Sequence, residues 1–211
     1  MKKTIYLFAS LFLAATITSC GSSESNHDDH EEEHAEPICT YSYNEESTEF
    51  EWTAYKTSEK KGVPGTFNEI EVTSESSSDP LEVLKSISFT MNTASVETQN
   101  EDRNGKVAKH FFETINTEKI EGSIKSLSED GKAMIEITMN GISVEIDGEY
   151  VLNGSAFSFE SVIDVSAWNA LAGIEALNEV CSELHTGEDG VSKLWTEVKL
   201  TLKTKLSKDC E

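Results

Sequence analysis

The residues suited to chemistry are few. His110 can exchange a proton near neutral pH, and Arg103, in the same segment, supplies a permanent cation. A lone His in a polar stretch beside Phe111 and Phe112 is more often structural than catalytic. No Ser-His-Asp order, Gly-rich phosphate loop, His-Glu-x-x-His or Cys-x-x-Cys occurs, so the chain reads as a protein that is not an enzyme and carries no cofactor motif. A second cluster, His27, His30 and His34, lies among seven acids between residues 21 and 37. Imidazole and carboxylate suit zinc, copper or nickel, but the spacing fixes no geometry, and a solvated acidic spacer accounts for the same residues.

The remaining reactive side chains are four cysteines, and the first of them gives an address. Lys2 and Lys3 precede a nearly all-apolar run from Ile5 to Ala15, and Thr18-Ser19-Cys20-Gly21 follows. That is the layout of a secretory leader over residues 1–19, too short for a membrane span. The Cys at the cut resembles a bacterial lipobox, in which the thiol is acylated and becomes the mature N-terminus; an ordinary cleaved leader is the alternative. Each buried acyl methylene contributes about 0.8 kcal/mol, so an acylated Cys20 implies a lasting membrane anchor in a cell envelope, expected at the outer membrane. Residues 20–38 then read as an acidic, His-containing disordered tether, because they contain no apolar run to repay the entropy of ordering. Acids close behind Cys20 also resemble a lipoprotein surface-export signal, which leaves periplasmic face and cell surface both open.

Residues 39–211 are the size of one domain with a sizeable core. The chain's charge of −22 becomes −24 once Lys2 and Lys3 leave with the leader, and setting aside the tether's seven acids leaves −17 on the domain. Nucleic acid is excluded as a partner, since phosphate binding needs a basic surface.

Alternation of apolar and polar residues dominates this domain. Phe50, Trp52 and Ala54 alternate with acids and Thr53, and Ile87, Phe89 and Met91 with Ser88 and Thr90. Ile135, Ile137 and Met139 lead through Asn140-Gly141 to Val144, Ile146 and Tyr150. Asn153-Gly154 then leads to Phe157, Phe159, Ile163 and Val165, and Val198, Leu200, Leu202 and Leu206 complete the set. Period-two patterns bury one face, and both Asn-Gly pairs are expected to be central hairpin residues with positive φ. The expected fold is all-β: an antiparallel lipocalin-like barrel or sandwich of about eight strands. Two segments, Asn100 to Glu113 and Trp168 to His185, carry helical spacing and are expected as inserted helices.

Several of these segments together resemble the YceI-like lipid/polyisoprenoid-binding family. The resemblance rests on Ala94-Ser95-Val96-Glu97-Thr98-Gln99-Asn100, on Arg103-Asn104, and on His110-Phe111-Phe112-Glu113 with Ile120. It is extended by Asn140-Gly141-Ile142, Val162-Ile163-Asp164-Val165-Ser166 and Gly187-Glu188-Asp189-Gly190. It spans roughly Phe50 to Leu206 and implies a secreted barrel holding a long isoprenoid or amphiphile. Three departures stand out. Asn104 occupies the place of the family's Asp, Ser143-Val144-Glu145 replaces a Thr-Lys-Pro, and Val165-Ser166-Ala167-Trp168-Asn169 replaces an Arg-Ser-Asp-Phe-Gly segment.

A barrel of this size either fills its interior with side chains or holds one ligand. Phe50, Trp52, Phe67, Phe89, Met91, Tyr150, Phe157 and Phe159 are the candidate lining, and Phe111 with Phe112 could cap the mouth; each is also an ordinary core residue. In an oxidising compartment Cys39, Cys181 and Cys210 leave one thiol over. Cys39 opens the first strand and Cys210 follows the last, so their pairing is favoured over either partner with Cys181. In the chain-entropy model it stabilises the fold by ~4 to 5 kcal/mol. Three function classes remain. The chain is a membrane-anchored carrier or store for an apolar isoprenoid or quinone-like lipid, a structural or interaction lipoprotein with a packed barrel, or a metal-handling lipoprotein acting through its tether.

Overall fold

The structure, a computed structural model, describes residues 38–211. The leader at residues 1–19, Cys20, and His27, His30 and His34 of the tether lie outside the described residues. After β1 (Cys39–Ser42) come β2 (Thr48–Lys56), β3 (Lys61–Phe67), β4 (Ile70–Thr73), helix α1 (Pro80–Lys85), β5 (Ser88–Asn92) and β6 (Val96–Glu97). Helix α2 (Glu101–Val107) precedes β7 (Lys119–Leu127), β8 (Lys132–Met139), β9 (Ile142–Asn153) and β10 (Ala156–Asp164). Helices α3 (Leu171–Val180) and α4 (Ser182–His185) lead to β11 (Leu194–Lys205) and β12 (Ser207–Cys210).

Ten strands form one antiparallel sheet in the order β4-β5-β7-β8-β9-β10-β11-β2-β3-β6. Its two ends belong to the same two stretches of chain. β3 runs on into β4 across Asn68-Glu69, and β5 runs on into β6 across Thr93–Ser95. Phe67 pairs with Val96 on one side of this joint and Ile70 with Met91 on the other. Between them the Asn68 amide donates to the Ser95 carbonyl (2.9 Å) and the Asn92 amide to the Glu69 carbonyl (3.0 Å). Counting each bent stretch once gives an eight-stranded barrel with no free edge, the all-β architecture expected. β1 and β12 stand outside it as a separate two-stranded ribbon in which Cys39 is bonded to Cys210. The bond closes a loop with a sequence separation of 171, where chain entropy alone contributes about 5 kcal/mol.

Alternation sets the inner face. In β8, Ala133, Ile135, Ile137 and Met139 are buried while Glu136 and Thr138 face outward. The β8–β9 hairpin turns on Asn140-Gly141, both at positive φ (52° and 68°), as a two-residue turn matching the strand twist requires. The second hairpin differs from expectation. Asn153 pairs with Ala156, so the central residues are Gly154-Ser155, and of these Gly154 has positive φ (61°). Glycine at the first central position is the requirement of the II′ turn, which leaves Asn153 as the last strand residue.

The helices also depart from simple expectation. The segment Asn100 to Glu113 divides into α2, capped by the Asn100 side chain on the Arg103 amide (2.9 Å), and a π-turn over Ala108–Phe112. The wider turn ends with the adjacent Phe111 and Phe112 both buried, ring centroids 5.0 Å apart. The segment Trp168 to His185 is not one helix. Asp164 caps a 3-10 turn over Val165–Trp168, and Asn169 in the left-handed region (φ 56°) ends it before α3 begins. Trp168 is drawn inward instead: it is 1% exposed, and its indole N–H donates to the Ile137 carbonyl (3.0 Å). α1, unforeseen, is a short helix capped by Asp79 with Pro80 in its first turn; it buries Val83 and Leu84 completely.

Two polar clusters hold the helices on the barrel. Asn104 Oδ1 accepts from the Thr98 amide (2.8 Å) and hydroxyl (2.6 Å), and its Nδ2 donates to Glu97 (3.1 Å). Arg103 donates to the Thr98 hydroxyl and carbonyl, both at 2.9 Å. The Asn104 donor, with help from the Gln99 amide, holds the Glu97 carboxyl below its ordinary pKa. Beyond α3, the buried His185 donates through Nδ1 to Asn178 Oδ1 (2.9 Å), which also receives the Ser192 hydroxyl (3.2 Å). Burial, then the neighbouring Lys56 ammonium, lower the His185 pKa to about 4. Burial raises that of the Cys181 thiol, which is free and poorly suited to react.

Replacing Asn104 by Asp exchanges a donor to Glu97 for a second carboxylate. N104D is therefore expected to melt below wild type at pH 7, with the gap closing near pH 4, as thermal unfolding across pH will show. His185 has the opposite kind of signature. Its folded pKa lies below the unfolded value of about 6.5, so its contribution is complete above that pH and declines as pH falls toward 4. Urea titrations at pH 7 and pH 5 should show wild type losing roughly 1–2 kcal/mol more than H185Q over that interval. Equal losses would rule the assignment out.

Candidate functional site

The inward residues of β2 are Thr48, Phe50, Trp52 and Ala54, and those of β11 are Val198, Leu200, Leu202 and Thr204. All eight line a cavity of about 450 Å³ inside the barrel. It reaches from the Thr48 and Thr204 end, past Phe67 and Asn68, to an end lined by Val107, Phe111, Ile174, Leu177 and Leu194 from α2, α3 and their neighbours. The interior is thus neither filled nor open to a wide channel, as expected for eight strands.

Of the expected ligand residues, Phe50, Trp52, Phe67, Phe89, Met91, Phe111, Phe112 and Phe159 line this cavity. Tyr150 and Phe157 do not. Their rings stack on each other at 5.7 Å, and the Tyr150 hydroxyl donates to the Ser128 carbonyl (2.8 Å). Phe111 and Phe112 join the wall at the helical end, and Phe112 packs on Phe67 at 5.8 Å. The sequence reading did not assign Val198, Leu202, Trp168, Ile174 or Leu177 to the wall. The signal was present in the period-two pattern of β11 and in the apolar positions of the second helical segment.

The threonine pair and the tryptophans of the wall have their polar atoms already used. The Thr48 hydroxyl donates to the Asn44 carbonyl (2.7 Å), which leaves the Thr204 hydroxyl as donor in the 2.7 Å contact between the two threonines. All three tryptophans touch the cavity, and each indole N–H ends on a main-chain carbonyl: Trp52 on Thr66 (3.4 Å), Trp168 on Ile137 (3.0 Å) and Trp195 on Thr57 (2.8 Å). Among the described residues no buried side-chain nitrogen or oxygen lacks a partner. Among the described residues no Lys, Arg or His is in the wall, whose one ionisable member besides Tyr43 is the exposed Glu45. Such a surface offers mainly carbon contact area, and an anion placed within it would find no countercharge.

The groups most like catalytic residues do not converge on this space. Arg103 is committed to Thr98, and His110 sits half-buried in the π-turn. Neither lines the cavity. Among the described residues no group of three or more His, Cys, Asp or Glu could hold a metal.

Comparison with known proteins places this architecture. The crystal structure of Burkholderia cenocepacia BcnA superposes with a TM-score of 0.52 at 16% identity, covering 78% of this chain and 99% of that one. A polyisoprenoid binding domain from Saccharophagus degradans, implicated in plant cell wall breakdown, superposes at 0.53 with 13% identity, covering 81% and 99%. At these identities the likeness is one of fold. No curated protein matches the sequence. The model of the YceI-like domain matches residues 41–206, all eight barrel strands included, and the chain therefore belongs to the YceI-like family.

Proposed function

We propose that this protein holds an apolar isoprenoid or a similar lipid inside its barrel, as a carrier or store, and does so from a cell envelope to which acylated Cys20 anchors it. The observation that supports this reading is the cavity of about 450 Å³, lined mainly by apolar side chains and with its three indole donors bonded to main-chain carbonyls. Ligand sites of this kind occupy roughly 300–1,000 Å³, and burial of apolar surface contributes about 25 cal/mol per Å². The Saccharophagus degradans relative in fold is described as a polyisoprenoid binding domain, which agrees with the chemistry of this wall. The absence of a cation from the lining favours a neutral head group over a phosphate or carboxylate. It also favours a binding protein over an enzyme, since the ionisable residues of the wall, Tyr43 and the exposed Glu45, are joined there by no His, Lys or Arg with which to form a catalytic pair. An outer-membrane location follows the leader and Cys20 and forms part of the proposal.

The test uses the C20S chain, secreted without lipid and purified without detergent. Native mass spectrometry is expected to show a one-to-one lipid adduct that organic extraction removes. The stripped protein should then take up geranylgeraniol with a change in tryptophan emission, because all three tryptophans touch the cavity. A bare mass combined with no uptake of the alcohol would sink the carrier reading in favour of a packed interaction module.

A further inference from the structure

Three glycines lie in the middle of barrel strands, where glycine weakens a sheet and marks a close approach. Gly65 of β3 stands directly opposite Trp52, and Gly122 of β7 directly opposite Phe89. Gly148 of β9 lies diagonal to Phe159, whose direct partner is Tyr150. A Cβ built on each would fall within the neighbouring ring, 2.2 Å from Trp52 Cζ2, 2.3 Å from Phe89 Cζ and 2.1 Å from Phe159 Cε2. Carbon atoms rest at about 3.5–4.0 Å, so each ring occupies the place of the missing side chain. All three rings line the cavity. They belong to three different strand pairs around the barrel, and each therefore lies against the wall instead of pointing down the axis.

We propose that Gly65, Gly122 and Gly148 set the bore of the cavity, and with it the width of ligand accepted, by giving Trp52, Phe89 and Phe159 room to lie flat. This rests on the reading of the cavity as a ligand site. The wall presents ring faces where upright aromatics would cross the lumen, so the space suits a chain thickened by methyl branches more than its length alone explains. The three positions are not equivalent. At Gly122 and Gly148 a Cβ would also meet main-chain oxygens, those of Glu136 at 2.7 Å and Glu160 at 2.8 Å. At Gly65 the nearest obstructing atoms all belong to the Trp52 ring, which can swing. One methyl there displaces an entire indole into the lumen.

The test compares geranylgeraniol, which is methyl-branched, with the slim hexadecan-1-ol on the C20S chain. Gly65→Ala is expected to weaken the branched alcohol about tenfold, the scale of overpacking, while changing the straight one less than about threefold. Trp52→Phe in the same background should restore the branched alcohol. Should Gly65→Ala fail to fold, Trp52→Leu carries the test in the opposite sense, raising the preference for the branched alcohol at least about threefold. Equal effects on both alcohols, or none, would show that the glycines serve sheet packing alone and overturn the proposal while leaving the carrier reading standing. Uptake of neither alcohol by the unmutated chain would overturn the carrier reading, and this proposal with it.

Discussion

Everything inside this protein depends on the closure of its sheet at the joint between β3 and β4. A sheet of this length left open exposes two edges and shares its apolar face with solvent. Here Asn68 and Glu69 switch the strand from one partner to the next, with their main-chain bonds to Ser95 and Asn92 bridging the change. The bent strand serves two neighbours, and the inner face becomes an enclosed surface. Eight strands then fix a diameter that side chains can just fill or that can hold one small ligand, and is too small for a water channel, so what happens at the axis is decided by how the largest inward side chains stand.

Polar satisfaction is the second half of that arrangement. An indole N–H turned into the lumen without a partner would attract water and shrink the apolar volume available to a ligand. The structure avoids this by sending the Trp52, Trp168 and Trp195 donors outward to main-chain carbonyls while leaving carbon surface inside. The threonines at the far end do the same by bonding to each other and to Asn44. An apolar wall and bonded indole donors together separate this cavity from a polar cleft, and neither requires a charged group.

Much of this was legible in the sequence because alternation is a local property. Ile135, Ile137 and Met139 announce β8 and its inner face without reference to the rest of the chain, and Phe50 and Trp52 do the same for β2. Depth along the barrel axis is not local, which is why Tyr150 and Phe157 share the correct period with Phe159 and still miss the cavity. The turn at Gly154 was displaced by one residue because a strand end depends on which residue its partner pairs with, here Asn153 with Ala156. The switch at Asn68-Glu69 carries no Gly or Pro to mark it. β1 was marked only by Cys39 opening the first strand, and β12, which holds Cys210 itself, by nothing: apart from the two cysteines Tyr41 is the one apolar residue in the pair, so no pattern distinguishes a ribbon from a loop. α1 was overlooked although Asp79-Pro80 is a readable helix start.

The departures from the family pattern show how substitutions redistribute interactions while the barrel stays the same. Asn104 retains the acceptor that an Asp would present to Thr98 and adds a donor that reaches Glu97, so one amide joins α2 to β6 from both sides. Ser143, in the altered stretch after the Asn140-Gly141 turn, bonds across to Thr138 on the outer face, and its neighbour Val144 keeps the inward alternation. Trp168 makes the largest change. It enters the wall of the cavity itself, with its indole bonded to Ile137 and its carbonyl to the Asn140 side chain (2.9 Å). The first two changes act on the outside or at the helix joint, and none of their residues lines the cavity. The third puts an indole at the Phe position and an apolar Val165 at the Arg position of that segment, and both line the cavity, so of the three it is the one with a direct route to ligand choice.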